Sequence, residues 1–373
     1  MAMGLFALGW HVAQREQRSL ALTGQKLPFM TWEVALSILL FAAVAGARYH
    51  TGYDHAMYLH QYVSYEKYGF FTRDFEPLFM WVTQLMASAH IHYFFYFALW
   101  AAIEIAVLYY ALNDYKQLIP WVASFLVLSP IFLHLMNTMR QGVVECALPL
   151  LLLLLRDKKY LKFAVLVVLL AMIHSTAVLL FGLCLLRIDA TSQTMFRNWS
   201  VALFLIAVVV GAMPFWLDWF SRLAQKLFSG SMIHYGTELS INDHHFAASF
   251  GPVRLLTLSC QLMVLWLSNQ TLNFFKDNRL MRLLALAAAI YVIGTALMCN
   301  TTNFYQRPLE LFIVCFVVLT AATTYFLLIS GKKILAAILI ALCVSPLVVT
   351  LVKANFYPNA SNLPTLYHFF FCS

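Results

Sequence analysis

The sequence predicts an all-α, polytopic integral membrane protein with about eleven transmembrane helices, and three observations predict it. Of 373 residues, 62% are hydrophobic and only 11% charged, whereas soluble domains carry roughly a quarter charged residues. Runs such as Phe163 to Ile173 and Ile334 to Leu342 are apolar on every side, unlike the alternating segments of about ten residues that build a closed barrel. Helices are then the spanning structure, because every backbone N–H and C=O must be bonded inside the segment once water is excluded. No repeat, coiled coil or low-complexity tract divides the chain, so residues 1–373 read as a single transmembrane domain.

A span needs about 20 mainly apolar residues. Met1 to Trp10 is half that length and lacks the basic region and small-residue cleavage pattern of a signal peptide, so it reads as a partial or interfacial segment. Spans follow near residues 31–47, 91–112, 118–136 and 140–155. Leu161 to Leu186 is too long for one span and short for two, with His174, Ser175 and Thr176 at its middle. Beyond it lie spans near 199–217, 252–270, 281–299, 309–329 and 334–352.

One crossing or two at 161–186 reverses the side of everything downstream, and basic residues arbitrate, because they collect on the cytoplasmic side. With two crossings, one side holds 15 of the 24 Lys and Arg, in clusters such as Arg156 to Lys159 and Lys276 to Arg282. With one crossing it holds 13. Two crossings are therefore preferred. The net charge of +8 is explained by these orienting loops, and no nucleic-acid partner is expected.

On this topology two long polar segments face outward, residues 48–90 and 213–251, each expected to carry short amphipathic helices. Asn300 to Pro308 and the tail from Asn355 add shorter outward patches. The outward basic residues stand singly at membrane boundaries, among them Arg48, Arg140, Arg254 and Arg307. Two readings are open: snorkelling to headgroups, or holding an anionic ligand at the membrane surface.

Among these arginines the same face gathers the carboxylates Asp54, Asp74 and Glu76, together with His174. Such a set suits transfer from a lipid-linked diphosphate. Arginines neutralise the charge that develops on the leaving group, and a carboxylate or histidine takes the proton of an attacking hydroxyl. The tyrosines between Tyr49 and Tyr68, Tyr58 included, offer flat faces and hydroxyls for sugar rings or form an interfacial aromatic belt. Arg140 and Glu145, as well as Arg307 and Glu310, are spaced for pairing along one helix. Glu104 lies inside an apolar run, where an ionisable group points to function.

No phosphate-binding loop, dinucleotide fingerprint or HExxH motif occurs. Asp243, His244 and His245 lack the fixed spacing of a metal site. Neither a metal nor another cofactor is expected.

The order of short motifs is more specific than any one of them. GYDHAMY (Gly52 to Tyr58), FEPLF (Phe75 to Phe79), MNTMRQGV (Met136 to Val143), the basic turn RDKKYLK and MIHSTAVL (Met172 to Leu179) follow one another across the first half of the chain. This set resembles the EpsG-like family of Wzy-type bacterial polysaccharide polymerases. That family carries G-x-D-x-x-x-Y, E-P-x-F, R-Q and H-x-S-A segments in the same order. Thr176 stands where the family usually has serine, and NFYQRP, with Tyr305 and Arg307, fits the family's later arginine segment only loosely. The family also normally starts with a full span, which Met1 to Trp10 is too short to make.

The resemblance implies a GT-C-like, metal-independent glycosyltransferase of the bacterial cytoplasmic membrane, with its active site facing the periplasm or exterior. It polymerises undecaprenyl-diphosphate-linked repeat units of O-antigen, capsule or exopolysaccharide type, so the partners are a lipid-linked donor, a lipid-linked acceptor and membrane lipid. A chain-length regulator is a further expected type of partner. On this reading Arg140, Arg254, Arg307 and Arg48 bind the diphosphate, with Gln141, Tyr58 and Tyr305 completing the substrate contacts. Asp54 or His174 is the base, and Glu76 orients the acceptor or an arginine. A flippase for the same lipid-linked unit, a glycan ligase and a structural membrane subunit are the competing readings.

Overall fold

The computed structural model describes residues 1–49, 53–185, 193–213, 251–276, 278–299, 303–356 and 368–369. The described residues are helical almost throughout. In order, the helices are α1 (Ala2–Thr23), α2 (Trp32–Gly46), α3 (Tyr53–Tyr68), α4 (Pro77–Ser88), α5 (Tyr93–Ala111), α6 (Ile119–Leu128), α7 (Ile131–Asn137) and α8 (Met139–Arg156). They continue with α9 (Tyr160–Ala171), α10 (Gln193–Gly211), α11 (Pro252–Phe274), α12 (Arg279–Leu297), α13 (Asn303–Glu310), α14 (Ile313–Ile329) and α15 (Lys333–Phe356). Two 3₁₀ segments, Asn113–Leu118 and Ser175–Leu185, interrupt the series. The one departure from all-α among the described residues is a two-residue antiparallel pairing of Arg48–Tyr49 with His368–Phe369.

Two groups of helices make the body. In the first, α2 packs on α5, α5 on α8, and α1 on α6; in the second, α10, α11, α12, α14 and α15 pack on one another. The most completely buried helices, α8 and α14, join the two groups, with α14 against both α6 and α8. Where helices touch most closely, small residues are required. A Cβ on Gly9 of α1 would stand 2.8 Å from the backbone of Pro120, and one on Gly142 of α8 would stand 2.7 Å from Glu104 Oε1 on α5.

Among the described residues three helices, Tyr93–Ala111, Arg279–Leu297 and Lys333–Val352, are long and apolar enough to cross a membrane. A bent pair makes a fourth if it is one span. Other apolar helices, Trp32–Gly46 and Ile313–Ile329 among them, are shorter, so length alone does not reach the expected eleven among the described residues. The expected span at 118–136 is this bent pair: Ser129, forced into an extended conformation ahead of Pro130, ends α6, and α7 leaves at 74°.

The ambiguous segment at 161–186 is a hairpin. Phe163 on its first limb meets Phe181 on the second, ring centroids 6.3 Å apart, so the chain doubles back around Met172 to His174. Each limb is shorter than a full span. Met1 to Trp10 is not a separate segment: it is the first half of the 22-residue α1. The polar second half of α1 holds to the next elements through Arg15 to Glu33 at 2.6 Å, Glu16 to the Leu27 amide at 2.8 Å, and Glu16 to Lys116 at 3.3 Å. The expected outward segment 213–251 lies, except at its two ends, outside the described residues, and Asp243, His244 and His245 lie outside with it.

Candidate functional site

The site is built where α3, α4, α7, α8 and the tip of the hairpin meet. Pro77 starts α4, since a proline at the first helical position lacks only an N–H that the helix would leave unbonded. The next two amides, of Leu78 and Phe79, donate to the carbonyl of Met172 on the hairpin tip at 2.9 and 3.3 Å. In return the Ser175 amide donates to Glu76 Oε1 at 2.9 Å. Glu76, at the N-cap of α4, thus turns its carboxylate away from its own helix and toward the hairpin.

The other oxygen of Glu76 pairs with Arg140 Nη1. Arg140 lies in the first turn of α8, where the helix dipole presents its positive end and disfavours a cation. Three aromatic faces and a carboxylate compensate. The guanidinium carbon is 4.5 Å from the centre of Phe75, 5.4 Å from Phe79 and 5.8 Å from Tyr58, within the range of cation–π attraction. Nε donates to the Tyr58 hydroxyl at 3.3 Å. Both side chains of the ion pair are mostly buried.

His174 completes this part of the site, with Nδ1 3.5 Å from Glu76 Oε1. Nε2 of His174 has no hydrogen-bond partner among the described residues. Burial acts to raise the Glu76 carboxyl, but His174, the Ser175 amide and Arg140 outweigh it and hold the group at about 2.

Asp54 enters from the first turn of α3, its backbone N–H donating to Asn137 Oδ1 on α7 at 3.0 Å. Its carboxylate makes no hydrogen bond or ion pair among the described residues. Burial pushes that carboxyl above its ordinary range, against the opposing positive charges of Arg307, Arg140 and Arg73. The structure therefore gathers a committed carboxylate, Glu76, and an uncommitted one, Asp54, around the same arginine.

The remaining expected residues fall in different places. Arg307 is exposed on α13 and close enough to act on Asp54. Gln141 is buried beneath it, donating to Glu145 Oε1 at 2.9 Å, to the Arg307 carbonyl at 3.3 Å and to Glu310 Oε2 at 3.4 Å. Tyr58 is only 3% exposed and serves Arg140. Arg254 donates to the carbonyl of Cys299, just ahead of α13, at 3.2 Å. Arg48 is 1% exposed, set over Phe97 at 4.6 Å and against the sulfurs of Met136 and Met139. It is a core residue, not part of an open face. The side chain of Tyr305 lies outside the described residues.

Two expected pairings on single helices do not form. Glu145 takes His134 Nε2 at 2.9 Å, leaving Arg140 to Glu76. Glu310 takes Gln141 in place of Arg307. Sequence reasoning also missed His134 and the roles of Asn137, Phe75 and Phe79. The spacing of His134, Thr138, Gln141 and Glu145 marks one helical face, but the break at Thr138 hides that signal.

The far end of α8 has the opposite character. Arg156 lies about 24 Å from Arg140 along the axis, beside Asp157 and Asp114. Basic clusters and the candidate site thus occupy opposite ends of the same buried helix.

A model of the EpsG family matches residues 32–364, which include every element of this site. The chain belongs to the EpsG family. No curated protein and no solved structure matches it. Membership carries a role of polysaccharide-polymerase type, and with the apolar helices it makes this EpsG-family chain a membrane protein. The ordered motifs from Gly52 to Leu179 all lie inside the matched residues, and three of them meet in space through Glu76, Arg140 and Ser175. The matched region starts at Trp32, so α1 precedes it.

Proposed function

We propose that this protein is a glycosyltransferase that polymerises undecaprenyl-diphosphate-linked oligosaccharide repeat units at the outer face of a bacterial cytoplasmic membrane, within a GT-C-like architecture. The observation that carries the reading is the division of labour between Glu76 and Asp54. Glu76 is ion-paired and locks Arg140, whereas Asp54 is half-buried, without an ion-pair partner among the described residues, and under the influence of three arginines.

In the reaction an acceptor sugar hydroxyl attacks the anomeric carbon of the donor glycan. The bond from that carbon to the diphosphate oxygen breaks, and the carrier diphosphate leaves with the electron pair. Asp54 takes the hydroxyl proton; His174, whose Nδ1 faces Glu76, is the second candidate for that step. Arg140 and Arg307 neutralise the leaving diphosphate, and Arg254, next to the entry of α13, extends the cationic surface. Such fixed cations at a developing charge are among the larger contributions to catalysis. Glu76 and Tyr58 do not touch substrate on this reading. They hold Arg140 in place.

The test is extension of purified lipid-linked repeat units by the purified protein, with and without EDTA. Chelator-insensitive formation of long glycan supports the reading. Transport of the lipid-linked unit across vesicles without any lengthening supports a flippase instead, and strict metal dependence overturns the arginine mechanism.

A further inference from the structure

A second polar cluster lies directly behind the site, buried between α7, α8 and α13. Glu145 is fully buried and accepts from His134 Nε2 at 2.9 and 3.1 Å and from Gln141 Nε2 at 2.9 Å. Gln141 has two N–H donors. One goes to Glu145; the other is shared between the Arg307 carbonyl and Glu310 Oε2.

The Arg307 carbonyl needs such a partner. It belongs to the last turn of α13, whose carbonyls have no intrahelical donor, and α13 is only eight residues long with Pro308 inside it. A helix this short does not hold itself in place. Meanwhile α7, which carries His134, also carries Asn137, the partner of the Asp54 amide. One short helix therefore ties to Asp54 on one side and, through Glu145 and Gln141, to Arg307 on the other.

We infer that Gln141, itself fixed by the His134–Glu145 pair, is a positioning residue that sets Arg307 against the Asp54 and Arg140 half of the site. The inference rests on the function proposed above. Gln141 touches no substrate in this role. It acts through the backbone of α13, and a site whose supporting groups are loosened by even an ångström loses much of its effect.

The test combines hydrogen exchange with a double-mutant cycle on the purified full-length protein. Gln141→Leu keeps the side-chain volume and removes both donors. Amides of residues 303–312 then exchange at least tenfold faster, while α2, α5 and α14 exchange as before. In extension assays, kcat falls on the order of tenfold, the size of one lost hydrogen bond to a committed partner, with KM for the lipid-linked donor changed less, because Arg307 acts on the charge that develops on the leaving diphosphate. In an Arg307→Ala background the same substitution adds nothing, because its effect runs through Arg307.

Unchanged exchange at 303–312, or a full and additive effect of Gln141→Leu without Arg307, overturns the inference. Gln141→Met is the second variant if Gln141→Leu does not fold, and failure of both to fold marks Gln141 as a residue of the core and also overturns it. If the wild-type protein extends no glycan, the proposed function fails, and the exchange result still decides whether Gln141 holds α13.

Discussion

Glu76 and Arg140, 64 positions apart in sequence, form the ion pair that joins α4 to α8. Each arrives with a need the other meets. Arg140 sits at the unfavourable end of a helix dipole, and without it the second oxygen of the mostly buried Glu76 carboxylate would lose its ion-pair partner. Glu76→Gln leaves the geometry nearly intact and removes the charge. Glycan extension by this variant falls on the order of a hundredfold, as for other losses of a fixed charge-stabilising group, and the protein loses about 1.5–3 kcal/mol in denaturant unfolding.

The same pair makes a pH prediction. Glu76 is held at about 2 in the folded protein against 4.5 as its ordinary value. A depressed carboxyl contributes stability that is present above the unfolded value and lost as pH falls through the folded one. The unfolding midpoint of the wild type should therefore drop between about pH 4.5 and 2, and the drop should be shallower in Glu76→Gln. Equal slopes in the two proteins would show that His174, the Ser175 amide and Arg140 do not hold the carboxyl down.

Asp54 carries the opposite sign. Burial raises its carboxyl, so its ionised form costs stability once pH rises through the folded value. Asp54→Asn should be more stable than wild type at neutral pH, by about 2–4 °C in unfolding midpoint, while extension falls on the order of 10²–10⁴-fold as for loss of a general base. The acid limb of kcat/KM should disappear with it. A retained limb would transfer the role of base to His174.

Arg140→Lys tests whether the site needs a guanidinium or only a charge. Arg140 pairs with Glu76, hydrogen-bonds Tyr58 and stacks among three rings, and an ammonium cannot do all three. Extension should fall nearly as far as in Arg140→Ala. Wild-type rates in the lysine variant would reduce Arg140 to a point charge.

Gly142→Ala separates packing from chemistry. The new methyl would lie 2.7 Å from Glu104 Oε1 and 3.2 Å from Leu135, inside a well-packed core. The expected cost is about 1–3 kcal/mol, read as a lowered denaturation midpoint with KM unchanged in the protein that remains folded.

The sequence by itself determined that this is a helical membrane protein, because apolar composition and run length leave a chain no other way to satisfy its backbone. It also determined which residues belong together, since the order of the Asp54, Glu76, Arg140 and His174 motifs is written along the chain and the family match extends over all of them. Pairing was decided only by the tertiary structure. Arg140 could have met Glu145 along its own helix, yet it meets Glu76, because the turn at Pro77 and the hairpin tip at Met172 bring that carboxylate to it. Arg48, Arg140 and Arg307 look alike in sequence, but one is buried over Phe97, one is locked in an ion pair and one is exposed. Burial and partner choice depend on contacts between residues far apart in the chain, and no local spacing encodes them.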